Sequence, residues 1–270
     1  MKQPVCKLSV VLAIFNESAN LARCLDSVKA IADEIVIVDG NSTDDSIKIA
    51  KRYTKNILST TNKANFHINK QQAIDTATGE LILQLDADEV VSMELTEFIL
   101  AIKHNPVQFN HIAAWWIPRK NYFLNHWLKK GGQYPDPVIR LFWAGKAKLP
   151  QEDVHEQMVV TGKIGWADGY LDHFSNPSLS DYFRKMNTYT SLKATQLADK
   201  KVSLSFYHIA LFFCYYPLKT FFSLVVRHKG FLDGWPGILF SLLSSLHFPL
   251  QYLKLWELYE KEKLRYDNSA

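Results

Sequence analysis

Hydrophobic positions fall into two regimes along the chain. In the first hundred residues, short apolar runs alternate with amphipathic segments. Leu8–Ile14 is a continuous apolar run, the mark of a strand covered on both faces. Asn16-Glu17-Ser18-Ala19-Asn20 reads as a helix start, with Leu21, Leu25 and Val28 on one face. Glu34–Val38 predicts a second strand, closed by Asp39-Gly40. Asn41–Asp45 supplies capping side chains for a helix over Ile47–Tyr53. Asn56–Ser59 is a third strand. Asn65–Thr78 follows as a helix with Ile68, Ala73 and Ala77 inward and Gly79 as its stop. Leu81–Leu85 is a fourth strand and runs into Asp86-Ala87-Asp88-Glu89. Repeated β-α units of this length imply an α/β fold, a mainly parallel sheet with helices on both faces. Right-handed crossovers place the strand C-termini on one edge, where ligands bind.

Beyond residue 110 the pattern loosens. Ala113–Pro118 and Val138–Trp143 read as strands, with a forced turn at Pro135-Asp136-Pro137 between them. Val154-His155-Glu156 leads into Met158-Val159-Val160, and Ser180–Leu197 predicts a helix with Ser178 as its cap. From Val202 the composition changes. Residues 202–218 and 234–253 contain no Lys, Arg, Asp or Glu and are rich in Phe, Leu, Tyr and Trp. A membrane span needs about 20 mostly apolar residues. The second stretch has that length but contains Pro236, His247, Pro249 and Gln251; the first is shorter and contains His208 and Pro217. An interfacial segment fits better, with Trp235, Tyr252 and Trp256 at headgroup level and Lys219, Arg227, Lys229 and Lys254 toward anionic lipid. A helical subdomain packed on the core is the competing reading.

Composition narrows the classes. A chain of 270 residues with 47% apolar content can bury a full core, which excludes disorder and a stapled mini-protein. The net charge of +4 is too small to imply nucleic acid. Three widely spaced cysteines form neither a disulfide framework nor a zinc pattern, so a reducing compartment is expected. Leu8–Ile14 is short for a secretory core and lacks a small-residue cleavage site, so the expected location is cytoplasmic.

The candidate chemistry gathers on the strand C-termini. Asn16 and Glu17 follow the first strand, Asp39 ends the second, and Asp86 and Asp88 end the fourth. Two carboxylates two residues apart in an extended turn project the same way. They suit a hard divalent cation, Mg²⁺ or Mn²⁺, shared with substrate phosphates. Such a cation stabilises a diphosphate as a leaving group. Asp39 suits a nucleotide base, accepting from a ring N–H of uracil; the alternative is a turn residue before Gly40. Trp115 and Trp116 offer stacking surface for a sugar, though strand tryptophans are more often core.

Three segments carry a resemblance: Val10–Glu17, Ile35–Asp44 and Gly79–Glu89. In this order they resemble family 2 inverting glycosyltransferases, which have the GT-A fold. Arg140-Leu141-Phe142, Val154-His155-Glu156, Asp172-His173-Phe174 and Gly230–Gly234 extend the likeness to bacterial lipopolysaccharide inner-core β-1,4-glucosyltransferases. The resemblance implies a UDP-sugar donor, a lipopolysaccharide-core acceptor and transfer of a hexose, with glucose suggested. Another lipid-linked or capsular glycan, or a non-catalytic UDP-sugar-binding protein, are the alternatives. It further implies that Phe15, Asn16, Glu17 and Asp39 hold the uridine, with Lys70 near the nucleotide. Asp86 would approach the ribose or the metal through water, Asp88 would bind the metal, and His173 would add a metal or diphosphate ligand. One-step inversion requires a base to deprotonate the acceptor hydroxyl. Glu156 is favoured and Asp153 is the runner-up. Arg119, Lys120 and Arg140 would meet acceptor phosphates. The implied division is 1–110 for the donor, 111–200 for the acceptor and base, and 201–270 as a helical membrane-associating extension at the inner face of the cytoplasmic membrane.

Overall fold

The computed structural model describes residues 5–63, 66–150 and 157–267. The first elements appear in the predicted order: β1 (Leu8–Ile14), α1 (Leu21–Val28), β2 (Glu34–Asp39), α2 (Ser46–Ala50), β3 (Ile57–Ser59), α3 (Phe66–Thr76) and β4 (Leu81–Leu85). Then come β5 (Glu89–Val91), α4 (Met93–His104), a single turn α5 (Pro106–Phe109), β6 (Ala114–Ile117), β7 (Arg119–Phe123) and β8 (His126–Trp127). β9 (Val138–Trp143), β10 (Ala147–Lys148), β11 (Val159–Val160), β12 (Ile164–Trp166) and β13 (Leu171–Asn176) follow. The chain forms two compact units, residues 1–120 with 135–173, and residues 121–134 with 174–270.

The first unit holds a seven-stranded sheet in the order β12-β6-β9-β4-β1-β2-β3. β1 runs parallel to β2 and β4, β2 to β3, and β12 to β6. Only β9 is reversed, antiparallel to both β4 and β6. The other six strands therefore end on the same edge. Apolar runs form these strands because both faces are covered. Leu8, Val10, Leu12, Leu81, Leu83 and Leu85 pack against Leu21 and Leu25 of α1 and Leu95, Ile99 and Ile102 of α4. Val11, Val36, Val38 and Ile82 face Ala73 and Ile74 of α3 on the other side.

Gly79 has a different role from the helix stop expected of it. Its φ is not in the left-handed region. A Cβ there would lie 2.6 Å from the Lys7 carbonyl oxygen and from Ser9 Oγ, so the glycine permits β4 to enter against β1. The inward face of α3 also differs. Ala73 is fully buried, but Ile68 is only partly so; His67, Asn69 and Lys70 are the buried neighbours. This first turn serves the ligand edge rather than the core.

The second unit is helical. α6 (Leu179–Asp199) starts as expected at Ser178, whose Oγ accepts from the Asp181 amide at 3.1 Å. One helical run then covers Phe206–Arg227, 22 residues whose most apolar 18-residue window has a mean hydropathy of 1.7 and is almost wholly unburied. It consists of α7 (Phe206–Ala210), a π turn, α8 (Tyr216–Phe222) and a second π turn. Pro217, expected to interrupt the helix, sits in the first turn of α8, where a missing N–H costs little after the wider turn. The run is thus longer than composition alone suggested. The 234–253 stretch breaks instead into α9 (Gly234–Ser245) and α10 (His247–Asp267). Of the residues assigned to the lipid interface, Tyr252 is buried and Lys254 is bonded to a neighbouring helix. Tyr252 is 3% exposed and stacks on Phe212 at 5.0 Å, and Lys254 Nζ donates to Asn187 Oδ1 and Ser191 Oγ on α6. Trp235 and Trp256 are exposed as expected. Asp233 of the Gly230–Gly234 motif accepts from the Lys129 and Lys130 amides, so that motif fastens a loop.

Candidate active site

β1 and β2 deliver two loops to the ligand edge, and the loops are zipped together. Asn16 takes a left-handed backbone, φ 55°, which Asn tolerates. Its amide donates to Ser42 Oγ at 2.9 Å and its Oδ1 accepts from the Thr43 amide at 2.8 Å. The Glu17 amide donates to Ser46 Oγ, and the Ser18 amide to Asp44 Oδ2. The Asn16 and Glu17 amides and the Asn16 side chain thereby tie the two loops together, while the Phe15 ring stays 42% exposed.

Asp39 is fully buried at the end of β2. Its Oδ2 accepts from the Asn41 and Ser42 amides, both at 3.0 Å. Its Oδ1 is buried with no hydrogen-bond partner among the described residues. A buried acceptor without a donor is costly.

The acidic turn after β4 is organised by cations that the apolar strands conceal. Arg140 interrupts Val138-Ile139-Arg140-Leu141-Phe142-Trp143, and Gln84 interrupts Leu81–Leu85. Trp115 pairs with Leu141 but Trp116 with Ile139, so Arg140 is the extra residue of a β-bulge. A bulge re-aims a side chain. Here Arg140 reaches Gln84 Oε1, Asp86 Oδ2 and, at 2.9 Å, Glu89 Oε1. Lys70 Nζ pairs with the other oxygen of Asp86. Glu89, 0% exposed, accepts the Asp86 amide at 2.9 Å and lies 3.6 Å from Arg119 Nη1, which itself pairs with Asp136. Burial pushes the Asp86 carboxyl up, but Arg140 and Lys70 beside it prevail and hold it well below the usual carboxylate range. Burial opposes the Arg140 charge, and Asp86 and Glu89 more than restore it.

The expected site residues come together in part. Asp86 and Lys70 are in contact. Asp88 lies 3.6 Å from His173 Nε2, which β13 holds opposite Glu89. Among the described residues, no three His, Cys, Asp or Glu side chains converge as a metal centre. Both oxygens of Asp86 accept from cations, and Asp88 and His173 bring a carboxylate, a ligand type that suits Mg²⁺ or Mn²⁺, within 3.6 Å of an imidazole. Glu156 and Asp153, the two candidate bases, lie outside the described residues. Arg140 does not reach toward acceptor phosphates as expected: its bonds go to the acidic turn, and it is 7% exposed. Lys120 stacks on the Tyr170 ring at 3.1 Å. The sequence reading missed Gln84 and Glu89, and it misplaced Arg140. The signal for Gln84 and Arg140 is a polar side chain inside an otherwise apolar strand, which only a buried network accommodates, while Glu89 follows directly on the acidic turn.

A mostly parallel sheet flanked by helices, with Asp39 and the acidic turn at its strand ends, is a scaffold of the GT-A class. The model for "Glycosyl transferase family 2" matches residues 9–143, half of the chain. The chain belongs to glycosyl transferase family 2. A Rickettsia prowazekii protein described as an uncharacterized glycosyltransferase is 29% identical over 93% of this chain and 87% of its own. The lipopolysaccharide core biosynthesis glycosyltransferase LpsC of Rhizobium meliloti is 26% identical over 90% of this chain and 92% of its own. Among solved structures, S. aureus TarS 1-349 aligns over 98% of this chain and 92% of its own at 16% identity, with a TM-score of 0.43. Glucosyl-3-phosphoglycerate synthase from Mycobacterium tuberculosis, in complex with Mn²⁺ and UDP-glucose, aligns over 74% of this chain and 81% of its own at 14% identity, again with a TM-score of 0.43.

Proposed function

We propose that this glycosyltransferase moves a hexose, with glucose favoured, from a UDP-sugar to a lipopolysaccharide inner-core acceptor. The observation that carries the donor half is the buried, unpartnered Oδ1 of Asp39 on the ligand edge. The N–H of a uracil ring satisfies it, and Phe15, Asn16 and Glu17 form the adjoining wall. The acceptor half rests on the likeness to LpsC over most of both chains.

Asp88 and His173 would hold Mg²⁺ or Mn²⁺, which neutralises the diphosphate as it leaves. Asp86 would act from behind, kept ionised by Arg140 and Lys70, toward the ribose or through water. Glu156, with Asp153 as the alternative, would take the proton of the attacking hydroxyl. The exposed Phe206–Arg227 run, with Lys219 within it and Arg227 and Lys229 at its end, supports peripheral attachment to an anionic membrane surface where a lipid-linked acceptor lies.

Calorimetric titration of UDP tests the donor half. Asp39→Ala should bind UDP at least ~10-fold more weakly, the worth of one charge-assisted hydrogen bond, with the thermal transition retained as a fold control. Unchanged UDP affinity would remove the base-recognition role. Transfer of label from UDP-glucose to the core oligosaccharide of a strain lacking this protein tests the whole reaction.

A further inference from the structure

Trp115 and Trp116 are adjacent in sequence but take opposite faces of β6. Trp115 is 2% exposed and packs edge-on against Phe98 and Trp143. Gly165 on the neighbouring strand makes room for it: a Cβ there would lie 3.2 Å from Trp115 Cδ1. Trp116 turns the other way, beside Trp166, its register partner on β12. Their ring centroids are 6.4 Å apart with planes tilted by 37°. Trp166 is 58% exposed, and β12 is the edge strand of the sheet.

The location gives the pair a use. β6 and β12 point the same way as β4, so both tryptophans sit toward the edge that carries Asp39, Asp86 and Asp88. At ~4.8 Å between strands, they stand about 10 and 14 Å along that edge from β4, on the side away from Asp39. The backbone continues from Trp116 to Arg119, which reaches Glu89 of the acidic turn at 3.6 Å. A half-buried and an exposed indole side by side, tilted by 37°, make a shallow apolar surface, and each indole carries one N–H donor. That surface complements the C–H face of a pyranose and its hydroxyl edge.

We propose that Trp116 and Trp166 form an acceptor subsite that stacks a pyranose ring of the glycan next to the sugar being extended. This rests on the acceptor being a glycan, as proposed above. Trp116 is the packed base of the subsite, and Trp166 is the side chain the ring touches.

The test uses the full chain with UDP-glucose and deacylated core oligosaccharide from a strain lacking this protein. Trp166→Ala should raise the KM for the oligosaccharide at least ~10-fold and weaken its calorimetric binding by the same factor. The KM for UDP-glucose, the affinity for UDP and the melting temperature should stay unchanged. Trp166→Phe should restore most of the loss, which a merely structural role would not produce. If the wild-type protein binds and transfers to the oligosaccharide and Trp166→Ala matches it, the subsite is overturned while the proposed function stands. If the wild-type protein binds UDP but neither binds nor modifies the oligosaccharide, the acceptor reading falls and the subsite with it.

Discussion

The two units use similar apolar residues in opposite ways. In the first, Leu8, Leu12, Leu81 and Leu83 of the central strands are 0% exposed. In the second, Phe206 is 85% exposed and Val226 60% along a helical run with almost none of it buried, and Trp235 on α9 is 70% exposed. Each fully buried Leu contributes roughly 1.5–3 kcal/mol. An exposed Phe contributes almost nothing to folding, and contiguous exposed apolar surface marks a site of interaction. The difference teaches that the strands of the first unit spend their apolar residues on stability, whereas the Phe206–Arg227 run of the second leaves most of its own exposed.

The contrast breaks first if the acidic edge is dispensable. Asp88→Ala should lower kcat/KM by ~10³-fold or more, since the cation it would hold contributes several kcal/mol to the leaving group. The melting temperature should hold. Full activity of that variant, or of the wild-type protein in EDTA, would remove the metal role.

Next in size is the buried network. Arg140→Met leaves Asp86 and Glu89 without their shared cation. Removing one partner of such a buried set costs about 3–5 kcal/mol, read as the shift in urea midpoint. A variant as stable as the wild type would show that the bulge, not the charge, sets the strand ends.

The second unit should respond the other way. Phe206→Ser, Phe222→Ser and Trp235→Ser together should leave thermal stability within ~0.5 kcal/mol per site. Flotation with anionic vesicles should fall at least ~10-fold, because the lost apolar area is area that would enter the lipid boundary. Leu83→Ala in the first unit should cost ~2–5 kcal/mol and leave flotation of the folded fraction unchanged. Loss of stability without loss of flotation in the triple variant would mean its aromatic face packs on protein.

Much of this contrast was legible in the sequence. The β-α alternation, the four leading strands and the ligand edge follow from periods of 2 and 3.6 and from right-handed crossovers. What periodicity misses is geometry that no single strand encodes. Arg140 looks like a surface charge until the bulge at Trp115–Trp116 turns it onto Asp86. Gly79 looks like a helix stop until the approach of β4 to Ser9 shows that the space is the constraint. Tyr252 looks interfacial until its ring is found on Phe212. Hydropathy also could not tell that Pro217 would sit in a first helical turn, extending the exposed run to Arg227.

The smallest expected effect concerns the zipped loops. Asp44 is exposed, yet its Oδ1 and Oδ2 accept from the Ser46 and Ser18 amides at 3.0 Å. Burial pushes its carboxyl up slightly, but hydrogen bonds from Ser46 and Ser18 prevail and lower it from 3.8 to about 2. The folded state therefore binds the proton more weakly than the unfolded state does. Stability from this group is present above pH ~4 and is lost as pH falls toward 2. Asp44→Asn removes that contribution, so its urea midpoint should start slightly lower at pH 6 and fall less between pH 4 and pH 2. Solvent screening keeps the change small compared with Arg140→Met. Equal slopes for the two proteins across that window would mean the loops on the ligand edge are held by Asn16 and the serines alone, and that the charge between them is idle.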